Sequence, residues 1–439
     1  MNMNRKLGWL LVGCLLPWTI MAGDVELTPL LQAEAATLWT MTPEAWAKLD
    51  PDHRLWSWND NSHSALTVAP RRTGKVLLDK VELNDFRVFF TDGKTSRLEA
   101  NLYNRAENRG LDNKSAFLSW LDGIQLQLRE LAGREGSPKT TSSLDGNYIY
   151  SRFWQNELYR ITLRWSYSGA GAGFHPEFVS LTVTAPGTGT DARASLKVAK
   201  TAAELKAGVK NNADGDRYLE VPMVDQGEKS YCVSAACERV LKYYGSEVDQ
   251  HILAELGKTS LVGTDMEQMI KALQRIGGKL HFRCRELYMY KALCSESGIN
   301  RMIAAYNVVA SKEKRKKIGA NLAAYDYMPL NVIPDMDPQL FRIVRTKERD
   351  FKEFPRQVRD LINNGTPVLW GVLLGIVKEK GLPQMNGGHL RLIIGYNEKS
   401  GQVIYSDSWG KAHAFKKMSW EDAWTMTTML IVLQPRTTR

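Results

Sequence analysis

Beyond residue 23 this 439-residue chain has no apolar run long enough to cross a bilayer, so stable membrane insertion is not expected. Histidine is scarce, at seven residues, and none stands at ligand spacing with carboxylates or cysteines; no metal or other cofactor is expected. Basic residues outnumber acidic ones, 58 to 48, but no recognisable nucleic-acid module accompanies the excess. Its one dense run, KEKRKK at 312–317, reads as a solvated helix face, and no nucleic-acid partner is expected. Cysteine is the rarest of these residue types, at five. What remains, 44% hydrophobic and 24% charged, is the composition of an ordinary globular protein with room for two domains.

The first 23 residues stand apart. MNMNRK is a positive leader, and LGWLLVGCLLPWTIMAG is an apolar run ending in small residues. Together they predict a signal peptide and an exported protein, periplasmic or extracellular. Leu11 to Cys14 also fits a lipoprotein processing box, but the residues after Cys14 stay apolar, so cleavage near Ala22 or Gly23 is favoured over a lipid anchor at Cys14.

Residues 24–190 read as a separate α+β domain. Helical patterns at Leu30–Trp39, Pro43–Asp50 and Ala116–Leu131 alternate with strand-like runs, and Asp92-Gly93 marks a hairpin. His53, His63 and His175 are isolated, and Ser168–Gly173 is a loop. No constellation of chemistry is legible here, and the domain's role stays open. A turn-rich linker, 191–217, separates it from a second region, 218–439.

That second region is organised around VPMVDQGEKSYCVSAACERVLKYYG, residues 221–245. Ala236, Val240 and Tyr243 follow Cys232 on one face of a helix, with Ser230 as candidate N-cap and Gly245 as stop. Cys232 then lies in the first turn, where free amides and the helix dipole favour a thiolate. Gln226, six residues earlier, can offer a side-chain donor to the same place, as acyl transfer requires. Taken alone, the cysteine reads more simply as a small buried residue.

Two later residues change that balance. Leu390–Tyr396 and Gln402–Ser406 are strands joined by a turn at 397–401. Folding this hairpin so that partner numbers total about 797 places His389 beside Asp407 and Ser408. A carboxylate beside an imidazole fixes its tautomer and leaves the other ring nitrogen for a thiolate. Elsewhere in the region, residues 264–267 read as a capping box for a helix that stops at Gly277-Gly278. Residues 285–350 read as an insertion near the site. With Cys232 as a free nucleophile and Cys237 pointing away from it, Cys284 and Cys294 are the nearest candidates for a disulfide, though the pairing is open.

The order Gln226, Cys232, His389, Asp407, with the blocks QGEKSYC, GGH and SDSWG, resembles the papain-like cysteine peptidases. The Asp in SDSWG and the wording VPMVDQG and ERVLKYYG are closer to family thirty-nine of that class, which includes the double-glycine leader peptidases and secreted stand-alone relatives. The resemblance covers 218–439 and is weak through 285–350. It implies an α+β papain-like domain whose nucleophile helix packs on an antiparallel sheet, acting on a peptide or protein substrate. It implies Cys232 as nucleophile, His389 as general base and acid, Asp407 as its orienting partner and Gln226 in the oxyanion hole. Trp409 would shield the His–Asp bond. The same chemistry also serves amidases and transpeptidase-type acyl transferases on cell-wall or other amides. A binding protein with a vestigial site, or an enzyme that processes only itself, also remains open.

Overall fold

The computed structural model describes residues 24–436, apart from 34–36, 51–54, 59–64, 69–73, 108–109, 143, 145–147, 188–197, 228, 320–331, 381 and 383–385. The leader with Cys14, together with His53 and His63, lies outside the described residues.

The N-terminal region runs β1 (Val25–Glu26), α1 (Thr28–Gln32), α2 (Thr37–Thr40), α3 (Pro43–Ala47), β2 (Trp56–Trp58), β3 (Ala65–Val68), β4 (Val76–Leu78), β5 (Val81–Glu82), β6 (Asn84–Thr91), β7 (Lys94–Asn104), α4 (Lys114–Ala132), β8 (Ser137–Ser142), β9 (Tyr148–Gln155), β10 (Arg160–Ser168) and β11 (His175–Thr184). Eight of these strands form one antiparallel sheet in the order β2-β3-β6-β7-β11-β10-β9-β8. The β6–β7 hairpin turns at Asp92 and Gly93, both at positive φ, as a two-residue hairpin loop demands. Asn113 caps α4 by accepting from the amides of Ser115 and Ala116, and Phe117, Leu121, Ile124 and Leu128 form its buried stripe. The region is more β-rich than its periodicity suggests. Strand β8 (SPKTTS) carries no apolar alternation because it is an edge, where a polar strand with Pro is tolerated.

The C-terminal region runs α5 (Ala202–Ala207), β12 (Lys210–Asn211), β13 (Asp216–Tyr218), α6 (Cys232–Tyr243), α7 (Gln250–Leu256), α8 (Met266–Leu280), β14 (Phe282–Met289), α9 (Glu296–Lys312), α10 (Pro338–Thr346), α11 (Arg349–Asn363), β15 (Val368–Leu374), β16 (Gly387–Asn397), β17 (Gln402–Ser406), β18 (Lys416–Ser419), α12 (Trp420–Met426) and β19 (Thr427–Pro435). Its antiparallel sheet has the order β12-β13-β16-β15-β19-β14, with β17 pairing β16 and β18. Helix α6 packs on β16, and nearly all of its residues are buried. The fold is therefore α+β, with the Cys232 helix laid on an antiparallel sheet.

Several local expectations are corrected. Ser230 does not cap α6: Tyr231 holds the N-cap position without a side-chain bond, while the Ser230 hydroxyl donates to the Leu261 carbonyl at 2.8 Å. The cap of α8 is Asp265, which accepts from Glu267 and Gln268, and Thr264 bonds Thr259 instead. Helix α8 also runs through Gly277-Gly278 to Leu280, ending at His281 in the left-handed conformation. Gly277 serves packing, since a Cβ there would meet the Phe282 carbonyl at 2.7 Å.

Strand β14 pairs with β19, and α9 buries Ile299, Met302, Ile303 and Tyr306 in the same core as α6. Strand β14 escapes the sequence pattern because only Phe282 and Cys284 of its first half face inward. No disulfide joins Cys284 to Cys294: all four cysteines from Cys232 onward are free, with Cys284 buried and Cys294 exposed beyond the strand's end.

Candidate active site

Cys232 occupies the first position of α6, where the amides of the opening turn have no intrahelical acceptor. Two residues before it, Ser230 ties the approach to the Leu261 carbonyl. Tyr231, 1% exposed, anchors the turn by packing edge-on against His251 at 5.7 Å.

The opposing residues come from the β16–β17 hairpin and the segment after it. The register differs from the expected one: Leu392 pairs with Ser406 and Asn397 with Gln402, with an irregularity between Ile393 and Gly395. The ladder ends at Ser406, and Asp407 leaves it to donate its amide to the His413 carbonyl at 2.9 Å. That departure brings the carboxylate to the ring rather than across a regular rung. His389 Nε2 lies 2.7 Å from Asp407 Oδ1, with the two side chains 6% and 1% exposed. That leaves the other ring nitrogen, Nδ1, for Cys232, whose thiolate is favoured by His389 and by the Leu390 amide. Trp409 stacks on the imidazole at 4.5 Å and 21°.

Gln226 belongs to the same cluster. Its backbone N–H donates to the Ser408 carbonyl at 2.9 Å, its Oε1 accepts from the Ser408 hydroxyl at 2.7 Å, and its Nε2 donates to the Lys229 carbonyl at 3.0 Å. An amide nitrogen carries two hydrogens, so one remains. The structure thus gathers Gln226, Cys232, His389, Asp407 and Trp409.

The electrostatics favour a charge-separated pair. Burial pushes the Cys232 thiol up, but the hydrogen bond and charge of His389, with the Leu390 amide, reverse this and leave it below the ordinary thiol value. Burial pushes the His389 ring down, but Asp407 and the cysteine carry it up to about 9. Burial likewise opposes the Asp407 carboxylate, and His389 and Arg391 together hold it below the usual range.

Sequence reasoning missed the cations behind this carboxylate. Arg391, fully buried, donates Nε to Asp407 Oδ2 at 2.8 Å and Nη1 to both oxygens of Glu379 at 2.9 and 3.0 Å. Arg239, on α6, donates to the carbonyls of Pro222 and Asp407, each at 2.9 Å, and to the Ser406 hydroxyl at 2.5 Å. One signal was available. Arg391 interrupts an otherwise apolar strand two residues after His389, on the same face, where a lone charge needs a buried partner. Among the described residues no group of three or more His, Cys, Asp or Glu is placed to hold a metal ion.

Residues 220–318 match the Peptidase C39 family and residues 341–431 the Peptidase C39 like family. The chain carries a C39-like, papain-like cysteine peptidase domain in its C-terminal region. It is, accordingly, a cysteine peptidase, a hydrolase of peptide bonds. No curated protein matches. Among solved structures, the peptidase domain of Streptococcus ComA, a bifunctional ABC transporter involved in quorum sensing, is 16% identical. That alignment covers 48% of this chain and 97% of the other, at a TM-score of 0.25, too loose to bear on the argument.

Proposed function

We propose that the protein is an exported cysteine peptidase that cleaves peptide or protein substrates through a Cys232–His389–Asp407 triad. The observation that carries this is the arrangement around His389, with its Nε2 on a buried carboxylate and its charge lowering the pKa of a thiol at a helix start. Export rests on the positive leader and apolar run of residues 1–23.

In this mechanism the Cys232 thiolate attacks the scissile carbonyl carbon, and the carbonyl π electrons move to its oxygen. The remaining Gln226 Nε2–H and the Cys232 backbone amide hold that oxyanion. The uncapped start of α6 suits the role, because a side-chain cap would compete for amides at the place where the oxyanion forms. His389 passes its Nδ1 proton to the leaving nitrogen as the C–N bond breaks, leaving a thioester. Neutral His389 then takes a proton from water, the hydroxide attacks the thioester, and the thiolate departs with release of the acid. Asp407 keeps the Nε2 proton in place throughout, and Trp409 shields that bond from water.

The test is iodoacetamide alkylation of Cys232 against pH, with labelled casein digestion alongside. A thiolate that persists well below pH 8.5 in the protein but not in His389→Ala, with digestion lost in Cys232→Ala, is the expected result. Ordinary thiol reactivity unaffected by His389→Ala would overturn the triad.

A further inference from the structure

The N-terminal sheet grips the segment that carries Gln226. Two side chains of β6 make the hold. Arg87 Nη2 donates to the carbonyl of Asp225 at 2.7 Å, and Asp85 forms an ion pair with Lys229, whose side chain is completely buried. These contacts fall on either side of Gln226, and Lys229 is the residue whose carbonyl orients the Gln226 amide.

The local backbone of β6 is shaped for this contact. Asn84 pairs with Asn101 and Arg87 with Glu99, so β6 carries one extra residue there, a bulge. Asp85 lies within it at φ 44°, a conformation that a non-glycine residue adopts only when its surroundings hold it there. Bulges re-aim side chains, and this one aims Asp85 at Lys229. Opposite it, Gly227 sits at φ 69°, and a Cβ there would meet Asp85 Oδ1 at 2.5 Å. The two backbones are fitted to each other.

A second line of contact reaches the start of α6. Phe178 of β11 stacks on His251 at 5.7 Å and 27°, and His251 packs against Tyr231, the residue before Cys232. Lys229 Nζ lies 5.0 Å over the Tyr231 ring. Arg164 of β10 pairs with Asp249, the cap of α7, at 3.0 Å. The N-terminal sheet therefore braces both the Gln226 segment and the approach to α6, while Ser408 holds Gln226 itself.

We propose that the N-terminal domain is a permanent part of the catalytic apparatus. Asp85 and Arg87 act as positioning residues that hold the Gln226 donor in the oxyanion hole through Lys229 and Asp225. This rests on the triad reading and deepens it. Asp85 and Arg87 hold Lys229 and Asp225, whereas the thiolate–imidazolium pair is held by His389 and Asp407, so its chemistry should not depend on them.

The experiment compares full-length Asp85→Asn, Arg87→Ala and Lys229→Met with the unaltered protein. Casein digestion, split into kcat and KM, is read beside the pH profile of iodoacetamide alkylation. The expected result is a loss of about 10- to 100-fold in kcat with KM within threefold, as a displaced oxyanion donor produces. The Cys232 alkylation profile stays unchanged, because alkylation forms no oxyanion. The Asp85→Asn/Lys229→Met double variant should be no worse than either single change, since both break one link. Lys229→Met also replaces the buried cation by an apolar chain of similar length, so it reports even where Asp85→Asn fails to fold. Folded variants with unaltered kcat overturn the positioning role. Variants that lose alkylation and digestion equally overturn it too, since they show a general structural support. Failure of the unaltered protein to show a low-pH thiolate would instead overturn the triad reading beneath it.

Discussion

Replacing Asp407 with Asn tests how much of the site depends on one buried charge. Asp407 accepts from His389 Nε2 and the Ser408 amide at Oδ1, at 2.7 and 2.8 Å, and from Arg391 Nε at Oδ2, at 2.8 Å. Asparagine offers one oxygen and one NH2 group. With its oxygen toward His389 and Ser408, its NH2 confronts the Arg391 N–H; flipped, it confronts two donors. The substitution therefore removes the charge and sets donor against donor. Breaking a buried pair from one side costs about 3 kcal/mol of stability, read as a lower urea midpoint. For the imidazolium, a carboxylate about 4 Å away at an effective dielectric near 20 is worth about 4 kcal/mol. At 1.36 kcal/mol per decade this is two to three decades in thiolate population near neutral pH.

The pH dependence has a definite sign. His389 is raised from 6.5 to about 9 in the folded protein, so its contribution to stability is full below 6.5 and is lost as pH rises through about 9. Asp407→Asn should flatten that alkaline loss. It should also move the acid limb of Cys232 alkylation toward the ordinary thiol range, with a fall of about 100-fold or more at pH 6. An Asp407→Asn protein with an unmoved acid limb would show that the carboxylate does not support the ion pair, and the electrostatic account would be wrong.

Gln226→Ala should lower kcat about 100- to 1,000-fold while leaving Cys232 alkylation intact; equal loss of both would place Gln226 in structure rather than in the oxyanion hole. Arg239→Met leaves the carbonyls of Pro222 and Asp407 without their buried donor, and should cost about 2–4 kcal/mol in urea unfolding. A midpoint within error of the unaltered protein would refute that. Because Cys232, Cys237, Cys284 and Cys294 are free, reductant should leave Tm unchanged, and the denatured protein without its leader should release four thiols to a colorimetric reagent. A Tm that falls on reduction would contradict the free thiols.

Much of the site was legible because its signals are local. The 3.6-residue stripe behind Cys232 placed it at a helix start, and the apolar run after Gly387-Gly388 placed His389 on a buried strand. The turn between Leu390–Tyr396 and Gln402–Ser406 brought Asp407 near the ring, although the irregularity near Ile394 and the exit from the ladder at Ser406 set the actual approach. The helix caps were less legible. Ser230 and Thr264 have the right chemistry for their positions, but each hydroxyl is taken by a partner elsewhere, at Leu261 and Thr259.

The sequence by itself determined which elements carry the reactive groups, because helix and strand periodicities are written in neighbouring residues. Only the tertiary structure decided how those groups are held. Arg239 reaches the Asp407 carbonyl across 168 residues, and Asp85 reaches Lys229 across 144. A buried charge must find its partner wherever the fold supplies one, and no local pattern records a partner that far along the chain.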